Sequence, residues 1–182
     1  NVVCLRCGIP LDGVMWLLEK VSRGRLPSDL SLQPVPPGLR VSATVPMMGA
    51  GLQISAVIYV DQVTLAMESV RIHLRVRDLS IKPPAGSPIG SMLSMMDLSK
   101  PGDLLGFMPV RPALIVDAHG DEFVLELMKL PKLASNPMAH KIVAALSEVL
   151  ASKELVTEDD LLVLGFKAMP LGLLNALGHL RS

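Results

Sequence analysis

Residues 70–77 read Val70-Arg71-Ile72-His73-Leu74-Arg75-Val76-Arg77, aliphatic at every even position and basic or titratable at every odd one. A strand points successive side chains to opposite faces, so this segment has one aliphatic and one basic face. The same alternation runs through Leu39, Val41, Ala43 and Val45, through Leu52, Ile54, Ala56, Ile58 and Val60, and through Val63, Leu65 and Met67. Runs of this kind describe an antiparallel sheet with one buried and one solvated face.

The flanking sequence punctuates that sheet. Gly49 and Gly51 break the first hairpin, and Asp61–Gln62 marks a bend or bulge rather than a full turn. Pro83, Pro84, Gly86 and Pro88 end the β-run. Upstream, Leu11, Val14, Met15, Leu18 and Val21 share one face of a helix over 11–22, with Gly24 as its stop. The prolines at 27, 34, 36 and 37 read as an extended linker.

Downstream, Ile89, Met92, Leu93 and Met96 form the stripe of a short helix. A second short piece starts at Pro101 and is closed by Pro109 and Pro112. A hairpin follows, with arms Ala113–Ala118 and Glu122–Leu130 around His119-Gly120-Asp121. From 135 onward the chain reads as helical. Asn136 caps a stripe of Met138, Ile142, Leu146 and Val149. Thr157 and Asp160 resemble a capping box before Leu161, Leu162 and Leu164, and Pro170 opens a last helix bearing Leu173, Leu174, Leu177 and Leu180.

The expected fold class is α+β, a long curved antiparallel sheet wrapped around amphipathic helices, with a helical C-terminal region. Residues 1–134 form the sheet-and-helix core and 135–182 pack on it as part of one structural domain.

Composition narrows the function. The formal net charge over 182 residues is zero, which removes the electrostatic footprint of a nucleic-acid binder. Aromatic residues make up only 3%, too few for base-stacking platforms. Half of the residues are hydrophobic and the mean hydropathy is +0.47, yet no apolar run reaches the length of a membrane span. The apolar excess therefore belongs to a core, a lipid-like cavity or a partner surface. The 11 Met residues suit a deformable apolar space as well as ordinary gap-filling. The chain starts at Asn1 without Met or a signal-peptide pattern, and no compartment is encoded in its motifs.

Few motifs carry chemistry. Cys4-x2-Cys7-Gly8 resembles half of a zinc knuckle, but no second cysteine pair exists and the four His are scattered. The alternatives are a knuckle completed upstream, a disulfide or redox pair, or two unpaired thiols. Asp117, His119, Asp121 and Glu122 cluster at a predicted turn, where such residues collect for backbone reasons. Glu158, Asp159 and Asp160 suit a helix N-terminus. There is no G-x-S-x-G elbow and no phosphate loop, and the reading is of a non-enzyme with no metal and no cofactor.

The alternating segment 39–81, with Val70–Val76 followed by Arg77-Asp78-Leu79-Ser80-Ile81, resembles the tubular lipid-binding (TULIP) superfamily, in particular its small bacterial lipid-binding members. The resemblance spans 11–130, and the helical reading from 135 departs from it. It implies a bent sheet rolled around a helix with acyl chains held between them. The expected function is binding or carriage of a lipid or other apolar small molecule. Met15, Leu18, Ile58, Ile72, Leu74, Met92 and Met96 are the expected lining; Ile58, Leu74, Met92 and Met96 should face a common interior. Arg71, Arg75 and Arg77 are the expected contact with an anionic membrane surface, unless Asp61 or Glu68 neutralises them. The alternative is a structural or interaction domain whose apolar surface forms a homodimer or partner interface.

Overall fold

The computed structural model describes residues 3–22, 26–47, 49–107 and 111–168. The expected features at Gly24, Pro109 and Pro170–Leu180 lie outside them. The chain opens with strand β1 (Val3–Pro10) and passes directly into helix α1 (Leu11–Ser22). Four strands follow: β2 (Ser31–Val35), β3 (Gly38–Met47), β4 (Ala50–Ala66) and β5 (Ser69–Lys82). Two short helices, α2 (Ile89–Ser94) and α3 (Pro101–Leu104), lead to the hairpin of β6 (Ile115–His119) and β7 (Glu122–Glu126). After a single helical turn, α4 (Pro131–Ala134), come helix α5 (Pro137–Val149) and strands β8 (Leu150–Glu158) and β9 (Leu161–Ala168). The class is α+β, with two antiparallel sheets in the orders β2-β3-β4-β5-β7-β6 and β1-β9-β8.

In the larger sheet the register fixes which side chains share a face. Ile58 pairs with Val76, Val60 with Leu74, Val63 with Ile72, and Leu65 with Val70. The apolar positions of β4 are even before Asp61 and odd after it. The two sets stay on one face because Asp61 is bulged out between the Val60/Leu74 and Gln62/His73 pairs. A second irregularity lies where β5 carries Asp78 and Leu79 opposite Ala56, with Asp78 at φ 52°. Met67, expected to continue the alternation, instead occupies the β4–β5 turn and is 62% exposed.

Two sequence expectations are corrected. The proline-rich linker contains edge strand β2, which pairs with β3 from Ser31 to Val35. Pro34 is tolerated because an edge strand leaves one side of its backbone unpaired. Among the described residues beyond 135, the helix is α5, and residues 150–168, expected to be helical, form a β-hairpin instead. Thr157 and Asp160 therefore cap no helix. Asp159 and Asp160 make the two-residue turn between the Glu158/Leu161 pair, with Asp159 at φ 49°. Val156, Thr157 and Val163 are β-branched and suit the strands, and aspartate tolerates the left-handed turn position.

Thr157 has become the seam between the sheets. It is 2% exposed, its N–H donates to the Pro37 carbonyl at 3.0 Å, and its hydroxyl donates to the Gly38 carbonyl. β8 lies against β4, whose Val57 is 1% exposed although it shares a face with Arg40 and Arg77. Helix α1 touches β1, β9 and β2, with Leu11 buried and its N–H bonded to the Asp160 carbonyl.

Replacing Thr157 with Val keeps the shape and leaves the Gly38 carbonyl without its donor. The substitution should cost about 1–3 kcal/mol, read as a lower urea midpoint at unchanged slope. An unchanged midpoint would show that the hydroxyl bond is not part of the seam.

Candidate functional site

The basic face of β5 is built as the alternation requires, but its charges are spoken for. Arg71 Nε lies 3.3 Å from Glu126 Oε2, and Arg77 Nε 2.9 Å from Asp121 Oδ2. Arg75 makes a forked contact with Asp61 at 2.8–2.9 Å and stacks 5.6 Å from the Tyr59 ring centroid. Asp61 can reach Arg75 because the bulge exposes it beside the basic row. Asp121 is supplied by the β6–β7 turn, whose carbonyl accepts the Val76 N–H at 2.8 Å. An arginine with a carboxylate in contact offers little net charge to a distant anionic surface. The protein is therefore expected to stay unbound in flotation with phosphatidylglycerol vesicles at low salt. Binding that Arg71→Ala/Arg75→Ala/Arg77→Ala abolishes would show that the carboxylates do not neutralise the stripe.

Glu126, at the end of β7, is the one buried carboxylate among the described residues, at 6% exposure. It accepts from Ser69 Oγ at 2.5 Å, from the Val70 N–H at 2.8 Å, from the Met128 N–H at 3.2 Å and from Arg71. Burial pushes its pKa up. The hydrogen bonds from Ser69, Val70, Met128 and Arg71 together outweigh burial and hold the carboxyl below the usual glutamate value. This group ties the β4–β5 turn to β7. Its signal in the sequence was a lone acid closing the strand Phe123-Val124-Leu125-Glu126, which the alternation passes over.

The folded pKa of Glu126 is depressed, so its stabilisation is complete above the unfolded value. It is lost as pH falls through the folded value. Glu126→Gln should cost about 1–3 kcal/mol at neutral pH and flatten the acid limb of a stability–pH profile. A variant with the wild-type acid limb would assign that limb to other carboxylates.

The turn cluster is a surface arrangement. His119 sits between Asp117, at 3.4 Å, and Glu122, at 2.9 Å, with all three side chains more than half exposed. Among the described residues, no group of three or more His, Cys, Asp or Glu is arranged to hold a metal ion. The cysteine motif has no knuckle turn. Cys4 to Cys7 is continuous strand, paired with Lys167 to Leu164 of β9. Three extended residues span about 10 Å, too far for a Cys4–Cys7 disulfide. Cys7 is a free, exposed thiol.

The seven expected lining residues are spread over α1, the larger sheet and the α2 segment. Ile58, Ile72 and Leu74 share the aliphatic face of the larger sheet and are half-buried, as are Met15 and Met96. Leu18 and Met92 are 38% and 45% exposed, so the common interior expected for Ile58, Leu74, Met92 and Met96 is not formed at Met92. Much of the remaining aliphatic content lies outside. Trp16, Leu17 and Leu18 project from α1, Met92 from α2, and Met95 from just beyond its end. Met138, Ile142 and Leu146 make an exposed stripe along α5. Between the β4–β5 turn and α5, Ala66, Met67, His140 and Ala144 line an open groove of about 740 Å³.

A second depression, about 460 Å³, lies on the polar face of the larger sheet over the row Ser42–Ser55–Ser80. Asp29 closes its edge by accepting from the Thr44 N–H and hydroxyl, which hold its carboxyl below the usual range. None of the seven expected residues lines either depression. Among the described residues no helix is long and apolar enough to cross a membrane. Comparison with protein families, with characterised proteins and with solved structures gives no match to this chain.

Proposed function

We propose that this protein is a non-enzymatic interaction module that offers an aliphatic, methionine-containing surface to an apolar partner. The observation that carries the reading is the distribution of large apolar side chains. Among the described residues, eight hydrophobic residues are buried while ten large ones are exposed. Isolated exposed leucines are ordinary, but Met138, Ile142 and Leu146 recur at helical spacing on one face of α5. Methionine in such a surface adapts to differently shaped partners.

A second reading is the lipid binding that the TULIP resemblance implies. The groove between the β4–β5 turn and α5 favours it, being open, about 740 Å³ in volume and lined largely by apolar atoms. Native mass spectrometry of the purified protein separates the two. A ligand-free mass supports the interaction module, and a co-purified lipid mass supports carriage.

If the α5 stripe is partner surface rather than core, Ile142→Glu/Leu146→Glu should fold normally. The expected stability change is within about 0.5 kcal/mol per site, with reduced binding of the apolar dye anilinonaphthalene sulfonate. Global unfolding of the double variant would place the stripe in the core and sink the proposal.

A further inference from the structure

We propose that β1 is a strand-addition edge that pairs antiparallel with β1 of a second copy of this chain, joining two three-stranded sheets across a two-fold axis. The two sheets have four edge strands, and three of them are protected. β2 has five residues and carries Pro34, and β6 is likewise only five residues long. β8 is engaged on its open side by the bond from the Thr157 N–H to Pro37 in the β2–β3 turn. β1 is eight residues long, has no proline before Pro10, and pairs only with β9. Among the described residues, no other backbone group bonds to it between 3 and 9. Among the described residues nothing covers this edge, and a long edge with no proline or bulge before its last residue is a template for another strand.

The occupant follows from the sequence of the edge. The one charged residue in β1 is Arg6, and its guanidinium is committed to Glu158, 2.5 Å away, at the end of β8 beyond β9. A two-fold axis through Cys7 places Leu5 opposite Ile9 of the second copy, Arg6 opposite Gly8, and Cys7 opposite itself. In this register no two like charges are paired. Directly opposed residues in an antiparallel pair have Cα atoms about 4.5–5.5 Å apart, so the two Cys7 thiols come within reach of a short bismaleimide. Cys7 reports the register and is not needed for the association. This surface is separate from the α5 stripe, and Ile142→Glu/Leu146→Glu should leave it intact.

The test is sedimentation equilibrium and bismaleimide cross-linking of the full chain in a Cys4→Ser background. The expected result is a mass of twice 19.5 kDa and a cross-linked dimer that Cys7→Ser abolishes. Gly8→Asp and Gly8→Arg add the same Cβ within a protomer but place opposite charges beside Arg6 of the second copy. Gly8→Arg should dissociate about tenfold more readily than Gly8→Asp, with the gap shrinking in high salt. A monomer at tens of micromolar, or a dimer in which Cys7 does not cross-link, overturns the proposal. So does a dimer of folded Gly8 variants with equal affinity. If the Gly8 variants do not fold, the mass and cross-linking of the Cys4→Ser protein decide alone.

Discussion

β4 and β5 are paired from Gln53/Lys82 to Ala66/Ser69, and every strand of the larger sheet takes its face from that pair. Side chains alternate with a period of two, so an extra residue in one strand inverts everything beyond it. Asp61 is such a residue, and the sequence compensates by moving its aliphatic positions from even to odd. β3 then joins β4 with Leu39 opposite Ile58, and β7 joins β5 with Phe123 opposite Leu74. The bulge also sets the electrostatics of the other face. It places the Asp61 carboxylate beside Arg75, so one local irregularity preserves the aliphatic face and neutralises the middle of the basic one.

The parts of the fold that were legible in the sequence are those governed by local periodicity. The alternation from 39 to 81, the helix over 11–22 and the turn region at His119–Asp121 are short-range patterns, and backbone geometry enforces them nearly independently of context. β2 was hidden because Pro34 argues against a strand unless its edge position is known, and edge position is a tertiary fact. β8 and β9 were hidden because Thr157-x2-Asp160 satisfies a helix cap and a two-residue turn equally well. Docking of Thr157 on the Pro37 and Gly38 carbonyls accompanies the turn. Glu126 was missed for the same reason. Its partners are Ser69, Val70 and Arg71, more than fifty positions away, and Met128.

The candidate surface shows the same boundary more sharply. Met138, Ile142 and Leu146 were legible as one stripe, and periodicity assigns such a stripe to a core. In the structure they are 59%, 44% and 40% exposed, while Val143 and Ala145 on α5 are buried. Helical spacing establishes that a face exists. Which face meets a neighbour depends on the elements packed there, and for α5 those are β4, β8 and α4.

That inversion relates composition to architecture. A chain that is half hydrophobic would ordinarily use its largest aliphatic side chains to fill the space between layers. Here the layers meet through backbone-mediated contacts and modest side chains: Thr157 on the β2–β3 turn, Val57 in β4, Val163 in β9. The bulkier residues of α1 and α5 stand outside, on the two helices contiguous with the ends of the smaller sheet. The larger sheet is consolidated by its own register and by Glu126. Among the described residues the smaller sheet leaves the outer edge of β1 unpaired and has exposed apolar side chains on the adjoining helices, which is where the proposed interaction would bury apolar area. Burial of apolar area at roughly 25 cal/mol per Å² would drive such an interaction, and it would select for shape and apolarity rather than for charge.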